Sequence, residues 1–394
     1  MKKYIAAALC ALCVLAPCVV RAEDKIEPPG VNAHGAILMD ANTGRVLWGK
    51  HENVPLPMAS TTKIMTAIIA LEQGCVEDIV TVSARAAAAP RVKMHLQAGE
   101  KISLGGLLLA LMLQSSNDAA IAIAEHIGGS VENFCAAMTT KAAELGCLDT
   151  IFETPNGLDA GDHHSTAFDM AIIARYALQN PDFVRLIATP DISVSSSRTT
   201  YAVSNKNRLL REFQGATGVK TGFTNKAGHC FVGSAQRDEM QLISVVFASG
   251  WGDRGREQKW IDTKKILAYG FENYIPTEII TAGDIGGHLQ IERSKTTEIP
   301  LVYGENIRLP LNEAERQSLK IEHYFPENIR APIDSGQPMG SARIYIGENF
   351  AAEIPLITAN SATRHDLKTS LEKVIAAYLR AATLRELNIT LPEF

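Results

Sequence analysis

The sequence predicts an α+β fold: an antiparallel five-stranded sheet with packed helices, followed by a small C-terminal β-domain. Three observations predict this fold. Strand-like runs lie at both ends of the first 276 residues, apolar stretches of helical length lie between them, and short strands punctuated by Gly and Pro follow. Two early strands, an inserted helical block and three returning strands are typical of a sheet with helices packed on it.

The early elements are a hairpin and the helical block. In residues 35–50, an apolar run enters the turn residues ANTG and a second run leaves them, which predicts two paired strands. The helical block begins at about Ser60. The apolar run 102–129 resembles a membrane span, but polar residues interrupt it, so two buried helices meeting at a polar break are predicted instead. Further helices are predicted over 130–146 and 165–179, the second with Ser165 as its N-cap.

The later elements complete the sheet and add a second domain. The runs TGVKTGFT, GHCFVGSAQR and MQLISVVFAS predict consecutive antiparallel strands over 217–249, and 260–274 predicts a closing helix. The first domain is thus predicted over 23–276. After it, short strands predict a small β-domain over 277–363. In the tail, 364–394, apolar residues recur at helical spacing with basic residues mostly off that face, which predicts an amphipathic helix.

The N-terminus, residues 1–22, is predicted to be a signal peptide. The positive start MKK precedes a short apolar stretch, and Ala22 preceded by Val20 fits a cleavage site. The apolar run is short for a retained membrane anchor, and Pro17 is a poor fit to a lipoprotein signal at Cys18. Cleavage and export are therefore predicted.

Composition narrows the classes of function. A chain of 394 residues is long enough for two domains, and its net charge of −5 with no basic stripe sets nucleic acid aside as a partner. No CxxC pair and no cluster of histidines accompanies the cysteines that remain after the predicted signal peptide, so no zinc site is indicated. These cysteines are Cys75, Cys135, Cys147 and Cys230. Four buried thiols are the commoner interpretation, and one disulfide bond among them is the alternative.

The polar start of the first helix is the first candidate for chemistry. Ser60 and Lys63 stand at i and i+3, which on a helix puts both side chains on one face. A serine hydroxyl needs a base to act as a nucleophile, and a lysine can be that base if burial or a neighbouring cation lowers its pKa. Taken alone, the four residues STTK favour the plainer interpretation, an N-cap serine beside a lysine that reaches solvent.

Two further polar motifs are each weak alone. The triplet SSN at 115–117 lies between two apolar helices, where it would serve equally as an N-cap. Lys220, Thr221 and Gly222 lie in a strand-like run whose edge could hold an extended peptide, with the lysine and threonine meeting an anionic C-terminus. The alternative is an exposed strand lysine and a turn glycine.

Together the three motifs are specific. SxN begins 55 positions after SxxK (115 − 60) and KTG a further 105 positions on (220 − 115), in the order found in penicillin-binding proteins and serine β-lactamases. Blocks such as PLPMASTTKIMTA, LLLALMLQSSNDAAIAIAEHIGG, TPNGLDAGDHHSTAFDMA and GVKTGFTNKAGHCFVGSA extend the match from about Val31 to the C-terminus. The chain resembles the D-alanyl-D-alanine carboxypeptidases, the low-molecular-mass penicillin-binding proteins of peptidase family S11.

The resemblance implies the penicillin-binding and serine β-lactamase-like transpeptidase fold. It also implies a serine enzyme without a cofactor or metal, which removes the terminal D-alanine from peptidoglycan stem pentapeptides through an acyl-serine intermediate. Such an enzyme remodels the cell wall and is a target of β-lactam antibiotics. By the same resemblance, Ser60 is the nucleophile, Lys63 takes its proton, and Ser115 relays a proton toward the leaving D-alanine.

The resemblance assigns the substrate contacts as well. Asn117 fixes the substrate and Lys63, the backbone N–H groups of Ser60 and Phe223 form the oxyanion hole, and Lys220 and Thr221 hold the terminal carboxylate.

One departure concerns a cation near the last helix of the first domain. Many family members place an arginine before this helix, where it helps bind the substrate carboxylate. Lys259 aligns with it here, with Arg254 and Arg256 nearby, and which cation serves stays open.

Three other side chains are assigned ordinary roles. His163 and His164 have no third ligand at metal spacing, so a structural or solvent role is predicted. Glu153 lies in a carboxypeptidase block and is not assigned as the carboxylate that deacylates a β-lactamase.

Two other functions are weighed. A β-lactamase is disfavoured by the extra β-domain and the missing deacylation motif, and rapid nitrocefin turnover would favour it. A penicillin-recognising sensor or inactive binding module is disfavoured because all three motifs are intact.

The tail gives the last expectation. The family commonly uses such a helix to lie on the outer face of the cytoplasmic membrane, so an exported enzyme with a peripheral membrane anchor is predicted. A helix docked on its own β-domain is the alternative.

Overall fold

The computed structural model describes residues 27–364 and 367–386. The predicted signal peptide, 1–22, lies outside the described residues, and so does the end of the tail, 387–394.

A five-stranded antiparallel sheet forms the centre of the first domain. Its strands are β1 (Gly35–Asp40), β2 (Val46–Lys50), β7 (Ala216–Thr224), β8 (Gly228–Arg237) and β9 (Met240–Phe247). Their order is β2-β1-β9-β8-β7, so the early hairpin pairs with the last of the returning strands and β7 is left at an edge. This confirms the predicted sheet. The short strands outside it form two two-stranded sheets, β3 (Ile79–Thr81) with β4 (Lys101–Ser103) and β5 (Asp191–Ser195) with β6 (Thr200–Ser204).

Helices cover both faces of the central sheet. In the first domain they are α1 (Lys63–Gln73), α2 (Ala84–Ala87), α3 (Leu104–Leu109), α4 (Asn117–Gly128), α5 (Val131–Glu144), α6 (Ala167–Leu178), α7 (Pro181–Ala188), α8 (Leu209–Glu212) and α9 (Gly252–Asn273). Successive residues of β1 show the two layers, because side chains alternate between the faces of a strand. Ile37 packs into the core that includes α1, α4 and α6, whereas Leu38 packs with Trp260 and Ile266 of α9.

The apolar run 102–129 forms two helices that meet at a polar break, as predicted. A π-helical turn (Ala110–Gln114) continues α3, and Ser115 then takes a left-handed conformation with φ of 67° before α4 begins. The predicted N-cap of α6 is wrong. The cap is Thr166, whose side chain accepts a hydrogen bond from the Asp169 amide, while the Ser165 hydroxyl bonds to Thr150 and to the Thr166 carbonyl.

The helix α9 begins eight residues before its predicted start at 260 (260 − 252). Its first turns carry the polar, glycine-containing run GDRGREQ, which shows no apolar period. Packing explains the helix there, because a Cβ at Gly255 would lie 2.3 Å from the carbonyl carbon of Gly250. Only glycine permits this close approach of the two backbones.

The second domain is a β-domain with its own core, which confirms the predicted class. Its elements are β10 (Ile275–Ile280), β11 (Ile285–Glu292), β12 (Glu298–Tyr303), β13 (Ile307–Leu311), α10 (Glu313–Gln317), β14 (Leu319–Tyr324), β15 (Ile329–Arg330), β16 (Pro338–Ile346) and β17 (Asn349–Thr358). Six strands form the sheet β14-β16-β17-β12-β11-β15, and β10 pairs with β13. Arg45, beside the β1–β2 turn, donates to the Pro310 carbonyl and to Glu315, which joins the domains. The limits 23–276 and 277–363 stay predictions.

The tail contains the helix α11 (Leu367–Glu386). Its exposed large apolar side chains follow helical spacing, at Leu371, Val374, Ile375, Tyr378 and Leu379. Among the described residues, no helix has the length and the hydropathy needed to cross a membrane.

The four cysteines outside the predicted signal peptide are free thiols. Cys135, Cys147 and Cys230 are buried, as the commoner interpretation holds, and burial raises the pKa of Cys230 to about 12. Cys75 is exposed, so the expectation of burial is wrong there. Cys75 follows Gly74, the C-cap of α1, where the chain leaves the core.

Candidate active site

Ser60 lies on a tight turn at the base of α1. The turn is a 3-10 helix, Ala59–Thr62, which runs directly into Lys63, the first residue of α1. Ala59 has φ of 47°, a left-handed conformation that is uncommon for a residue with a side chain. The hydroxyls of Thr61 and Thr62 donate to the Met58 and Ala59 carbonyls and so fix the turn. Ser60 is half-buried, and its hydroxyl donates to the Asn156 carbonyl oxygen at 3.2 Å.

Lys63 is fully buried beside Ser60. Its Nζ lies 2.9 Å from Ser60 Oγ, 2.8 Å from Asn117 Oδ1 and 2.5 Å from the Asn156 carbonyl oxygen. Burial lowers the pKa of Lys63 well below its ordinary value, and the Lys220 charge lowers it further, against an opposing effect of Asp118. An ammonium would donate to all three acceptors, whereas a neutral amine has two N–H groups and a lone pair. The neutral form can therefore keep its hydrogen bonds to Asn117 and Asn156 and turn its lone pair toward the Ser60 hydroxyl.

Asn117 is the first residue of α4, and both the oxygen and the nitrogen of its side-chain amide make hydrogen bonds. Its amide nitrogen donates to the carbonyl oxygens of Arg91, at 2.9 Å, and Pro90, at 3.3 Å. This orientation directs Oδ1 at Lys63, so the loop after α2 fixes the position of the base. Ser115, two residues earlier, is half-buried in its left-handed conformation. Ser116 is the N-cap of α4 by its backbone angles, but its side chain makes no capping hydrogen bond.

The edge strand β7 packs against the serine turn, and the region where the two meet is called the cleft. Lys220 is buried and donates to the Thr221 carbonyl at 2.9 Å. Burial lowers the pKa of Lys220 to about 7, with added repulsion from Lys206 and Lys259. Thr221 is half-buried, and the Phe223 ring is exposed and packs 4.4 Å from the His229 ring, centroid to centroid. Because β7 has one unpaired edge, an extended peptide could add to the sheet there.

Gly222 brings β7 against the serine turn. A Cβ at this position would lie 2.9 Å from the Ser60 nitrogen, 3.0 Å from the Ala59 Cβ and 3.2 Å from the Met58 oxygen. Phe223 is the residue that follows this contact with the Ser60 nitrogen along β7. The two backbone groups predicted to form an oxyanion hole therefore lie on adjoining segments.

Replacing Gly222 by alanine should separate these segments. The added Cβ meets two backbone atoms and the Ala59 Cβ, none of which can yield as the end of a flexible side chain can, so we expect kcat/KM to fall by about 10- to 100-fold. Hydrolysis of a D-Ala-D-Ala peptide, the substrate that the resemblance implies, measures it. Gly30→Ala is the matched control, because a Cβ at Gly30 meets nothing within 4 Å. Equal rates in the two variants would contradict the close-approach argument.

Lys259 lies against strand β8, at His229, rather than on the serine turn. It is buried on α9, with Nζ 3.3 Å from His229 Nδ1 and 5.1 Å from the centroid of the Trp260 ring. Burial lowers the pKa of Lys259 to about 8. Arg254 and Arg256 are exposed on the first turns of the same helix. A role of Lys259 in binding the substrate carboxylate stays a prediction.

The side chains that were assigned ordinary roles have structural partners. His163 is buried and bonds to Thr62, and His164 bonds to the Asp162 carbonyl. Glu153 accepts a hydrogen bond from the Asp162 amide at 3.1 Å. Within residues 27–364 and 367–386, no group of three or more His, Cys, Asp or Glu side chains could hold a metal ion.

Two contributors to the site lie outside the three sequence motifs. The Asn156 carbonyl accepts from both Lys63 and Ser60, at 2.5 and 3.2 Å, but a backbone carbonyl gives no sign in side-chain patterns. Gly157, with φ of 82°, would place a Cβ 2.0 Å from the Ala59 oxygen. The adjacent Asn-Gly pair in TPNGL was the one available signal, since such pairs mark tight turns.

This fold and site define a class of protein. A serine on a turn before a buried helix, a buried lysine at i+3, a polar triplet at a helix junction and a lysine-bearing edge strand are the elements of penicillin-recognising serine enzymes. Residues 22–250 match the family described as D-alanyl-D-alanine carboxypeptidase (peptidase S11), and residues 274–364 match the family described as penicillin-binding protein 5, C-terminal domain. The chain belongs to the D-alanyl-D-alanine carboxypeptidase family.

Individual relatives cover both domains. The D-alanyl-D-alanine carboxypeptidase DacF of Bacillus subtilis is 31% identical over 355 residues, which is 88% of this chain and 90% of the relative. DacC of Escherichia coli is 31% identical and covers 90% of both chains. The solved structure of penicillin-binding protein 5 from Haemophilus influenzae has a TM-score of 0.73 at 28% identity, covering 86% of this chain and all of that one.

The family assignment carries the general chemistry with it. Members are serine carboxypeptidases that act on D-Ala-D-Ala peptides of the cell wall, form an acyl-serine intermediate and bind penicillin. The two disfavoured alternatives, a β-lactamase and an inactive binding module, are therefore set aside. The family assignment does not by itself assign roles to individual residues of this chain.

Proposed function

We propose that this chain removes the terminal D-alanine from peptidoglycan stem pentapeptides with Ser60 as the nucleophile and Lys63 as its base. The observation that carries the proposal is the 2.9 Å contact between Lys63 Nζ and Ser60 Oγ, made by a fully buried lysine. A buried amine with a depressed pKa can accept a proton at neutral pH.

Acylation begins when Ser60 Oγ attacks the carbonyl carbon between the two D-alanines while Lys63 accepts the hydroxyl proton. The carbonyl oxygen gains the negative charge, and the backbone N–H groups of Ser60 and Phe223 stabilise it. Collapse of this intermediate breaks the C–N bond. Ser115 passes the proton from Lys63 to the leaving nitrogen, so free D-alanine departs and Lys63 becomes neutral again.

The substrate is held by charge and by strand pairing. Its C-terminal carboxylate lies against Lys220 and Thr221, and its backbone adds to the open edge of β7. Asn117 contacts the peptide and keeps Lys63 in place. Binding at the C-terminal carboxylate explains why such an enzyme would be a carboxypeptidase.

Deacylation repeats these steps with water. The amine of Lys63 takes a proton from water, hydroxide attacks the ester carbonyl, and Ser60 leaves with a proton. A β-lactam would acylate Ser60 in the same way. Its leaving nitrogen stays tethered in the opened ring, where it hinders the approach of water, so the adduct persists.

Release of D-alanine tests the proposed function. A peptide ending in D-Ala-D-Ala should lose one D-alanine per molecule, whereas the same peptide ending in D-Ala-L-Ala should be stable. No D-alanine release by the wild type would contradict the proposal. Rapid nitrocefin turnover, in place of a lasting adduct, would favour a β-lactamase.

The pH dependence of kcat/KM should show that activity needs one lysine neutral and another protonated. Neutral Lys63 is the base, so kcat/KM rises as pH passes its lowered pKa. Protonated Lys220 holds the carboxylate, so kcat/KM falls as pH rises through the pKa of Lys220, about 7. The bound carboxylate stabilises the ammonium, so the falling limb of kcat should lie at higher pH.

Lys220→Arg separates these limbs. A guanidinium keeps its charge throughout the range, so we expect the falling limb of kcat/KM to disappear while the rising limb stays. Rates measured from pH 5 to about 10 give both profiles. A falling limb retained near pH 7 in the variant would show that Lys220 is not its source.

For the ends of the chain, we propose a signal peptide at 1–22 and a peripheral membrane helix in 364–394, with the catalytic domain over 23–276 and the β-domain over 277–363. Together they would place the enzyme on the outer face of the cytoplasmic membrane. Support comes from α11, where the spacing of exposed Leu371, Val374, Ile375 and Tyr378 makes one apolar face.

Deletion of 367–394 should release the processed enzyme from the membrane fraction. We expect most of the full-length protein to pellet with membranes and most of the shortened protein to stay soluble, with kcat on a small peptide within about twofold. The substitutions Leu371→Glu and Ile375→Glu should act like the deletion, and Glu372→Gln is the control. If the shortened protein still pelleted, the tail would not be the anchor.

A further inference from the structure

His163 links the loop after α5 to the serine turn. It is buried, with 5% of its surface exposed. Its Nδ1 lies 3.0 Å from the Glu153 backbone nitrogen and its Nε2 lies 2.8 Å from Thr62 Oγ1. Thr62 belongs to the same 3-10 turn as Ser60, and its hydroxyl also contacts the Ala59 carbonyl oxygen at 2.8 Å.

These contacts have a fixed direction. The Glu153 amide can only donate, so His163 Nδ1 must accept and the ring proton must lie on Nε2. That proton is donated to Thr62 Oγ1, which leaves the threonine proton for the Ala59 carbonyl, a group that can only accept. An imidazolium would place a second donor against the Glu153 amide. Burial, with repulsion from His164, Lys226 and Lys63, lowers the pKa of His163 to about 4, so the neutral ring is present at neutral pH.

The chain of hydrogen bonds ends on a peptide unit that belongs to the active site. The Ala59 carbonyl and the Ser60 N–H are the two ends of one peptide plane, and in a trans peptide they point in opposite directions. Fixing the carbonyl away from the cleft therefore directs the N–H into it, toward β7 at Gly222. Ala59 itself has φ of 47°, so this plane does not take the orientation that a regular right-handed helix would impose.

We propose that His163 is a positioning residue for the oxyanion hole, acting through Thr62 on the peptide plane that carries the Ser60 N–H. This inference rests on the proposed function of that N–H. Hydrogen bonding at the carbonyl also polarises the amide and strengthens its N–H as a donor. His163 touches neither substrate nor reacting atoms, so its effect is on the transition state more than on substrate binding.

The variant His163→Leu tests this role. We expect kcat, and the rate of acylation by benzylpenicillin, to fall by about 10- to 50-fold while KM changes by less than about threefold. A peptide boronic acid, whose tetrahedral adduct with Ser60 puts an oxygen in the hole, should lose affinity by a similar factor. Rates are given per molecule of folded enzyme, with the thermal midpoint measured in parallel.

Conservative variants separate positioning from general stability. His163→Gln keeps an N–H donor for Thr62 and should recover kcat to within about fivefold of the wild type. Thr62→Val removes the same hydrogen-bond connection without changing the histidine. The kcat of the double variant should therefore be no more than about threefold below that of the less active single variant. His164→Leu, at the neighbouring position, is the control and should stay within about twofold.

Any of three results would overturn the inference. His163→Leu could keep its boronate affinity and its rate of penicillin acylation within twofold of the wild type. His163→Gln could lose as much kcat as His163→Leu, or the losses of kcat in His163→Leu and Thr62→Val could add in the double variant. If His163→Leu does not fold, Thr62→Val carries the same test. Penicillin acylation is measured whether or not D-alanine is released, so failure of the proposed function in the wild type is seen separately.

Discussion

Replacing Ser60 by alanine is expected to lower D-alanine release by about 10⁴-fold or more. The hydroxyl is the group that forms the covalent intermediate, and the other groups of the site cannot replace it. Its neighbours stay in place, because Lys63 keeps its contacts with Asn117 and the Asn156 carbonyl. The variant should therefore still bind peptide with a similar affinity, which equilibrium binding measures beside the rate.

Ser195→Ala is the matched control for this variant. Ser195 is exposed on β5, and its hydroxyl contacts Thr200 at 3.2 Å, outside the cleft. Its rate should stay within about twofold of the wild type. Release of D-alanine by Ser60→Ala at a rate near that of Ser195→Ala would exclude Ser60 as the nucleophile.

Replacing Lys63 by methionine should lower kcat/KM by about 10³-fold, within the range of a lost general base. The variant keeps most of the buried volume but removes the amine, so Ser60 has no base and two acceptors lose their donor. Benzylpenicillin should acylate this variant slowly as well, since the same proton must leave Ser60.

Lys63→Arg refines the same test. A guanidinium keeps a positive charge and stays protonated at neutral pH, so it cannot accept the Ser60 proton. We expect a loss as large as that of Lys63→Met. Lys264→Met, a half-exposed position on α9 that pairs with Glu212, is the control. If Lys63→Arg retained near-normal activity, the general-base role would be wrong, because charge alone would then suffice.

Much of the fold could be predicted because the apolar patterns are local. The strand over 228–237 agrees with β8 at both ends, since turn residues before and after it mark its limits. The start of α9 could not be predicted in this way. Its first turns are held by a close approach of Gly255 to Gly250, a contact between backbones that leaves no hydrophobic period.

The site was predictable to the extent that side chains carry it. SxxK, SxN and KTG named the groups at the cleft, and the structure brings Ser60, Lys63 and Asn117 into direct contact. What the motifs could not supply is the backbone geometry: the Asn156 carbonyl on Lys63 and the left-handed Ala59. These features depend on long-range packing, so a local pattern of residue types does not encode them.

The fold affects the chemistry most directly at the buried Lys63. The apolar side chains of α1 bury the helix on the sheet, and this burial is the largest cause of the lowered pKa of Lys63. An apolar helix with a polar first turn is therefore one functional unit. Exposure of Lys63 by a distant packing defect should weaken the base without removing it.

The site of covalent attachment tests this account most directly. Benzylpenicillin is incubated with the wild type, the protein is digested, and the modified peptide is identified by mass spectrometry. The account predicts one penicilloyl group per molecule, on the hydroxyl of Ser60, and none in Ser60→Ala. An adduct on any other residue, or one that persists in Ser60→Ala, would contradict it.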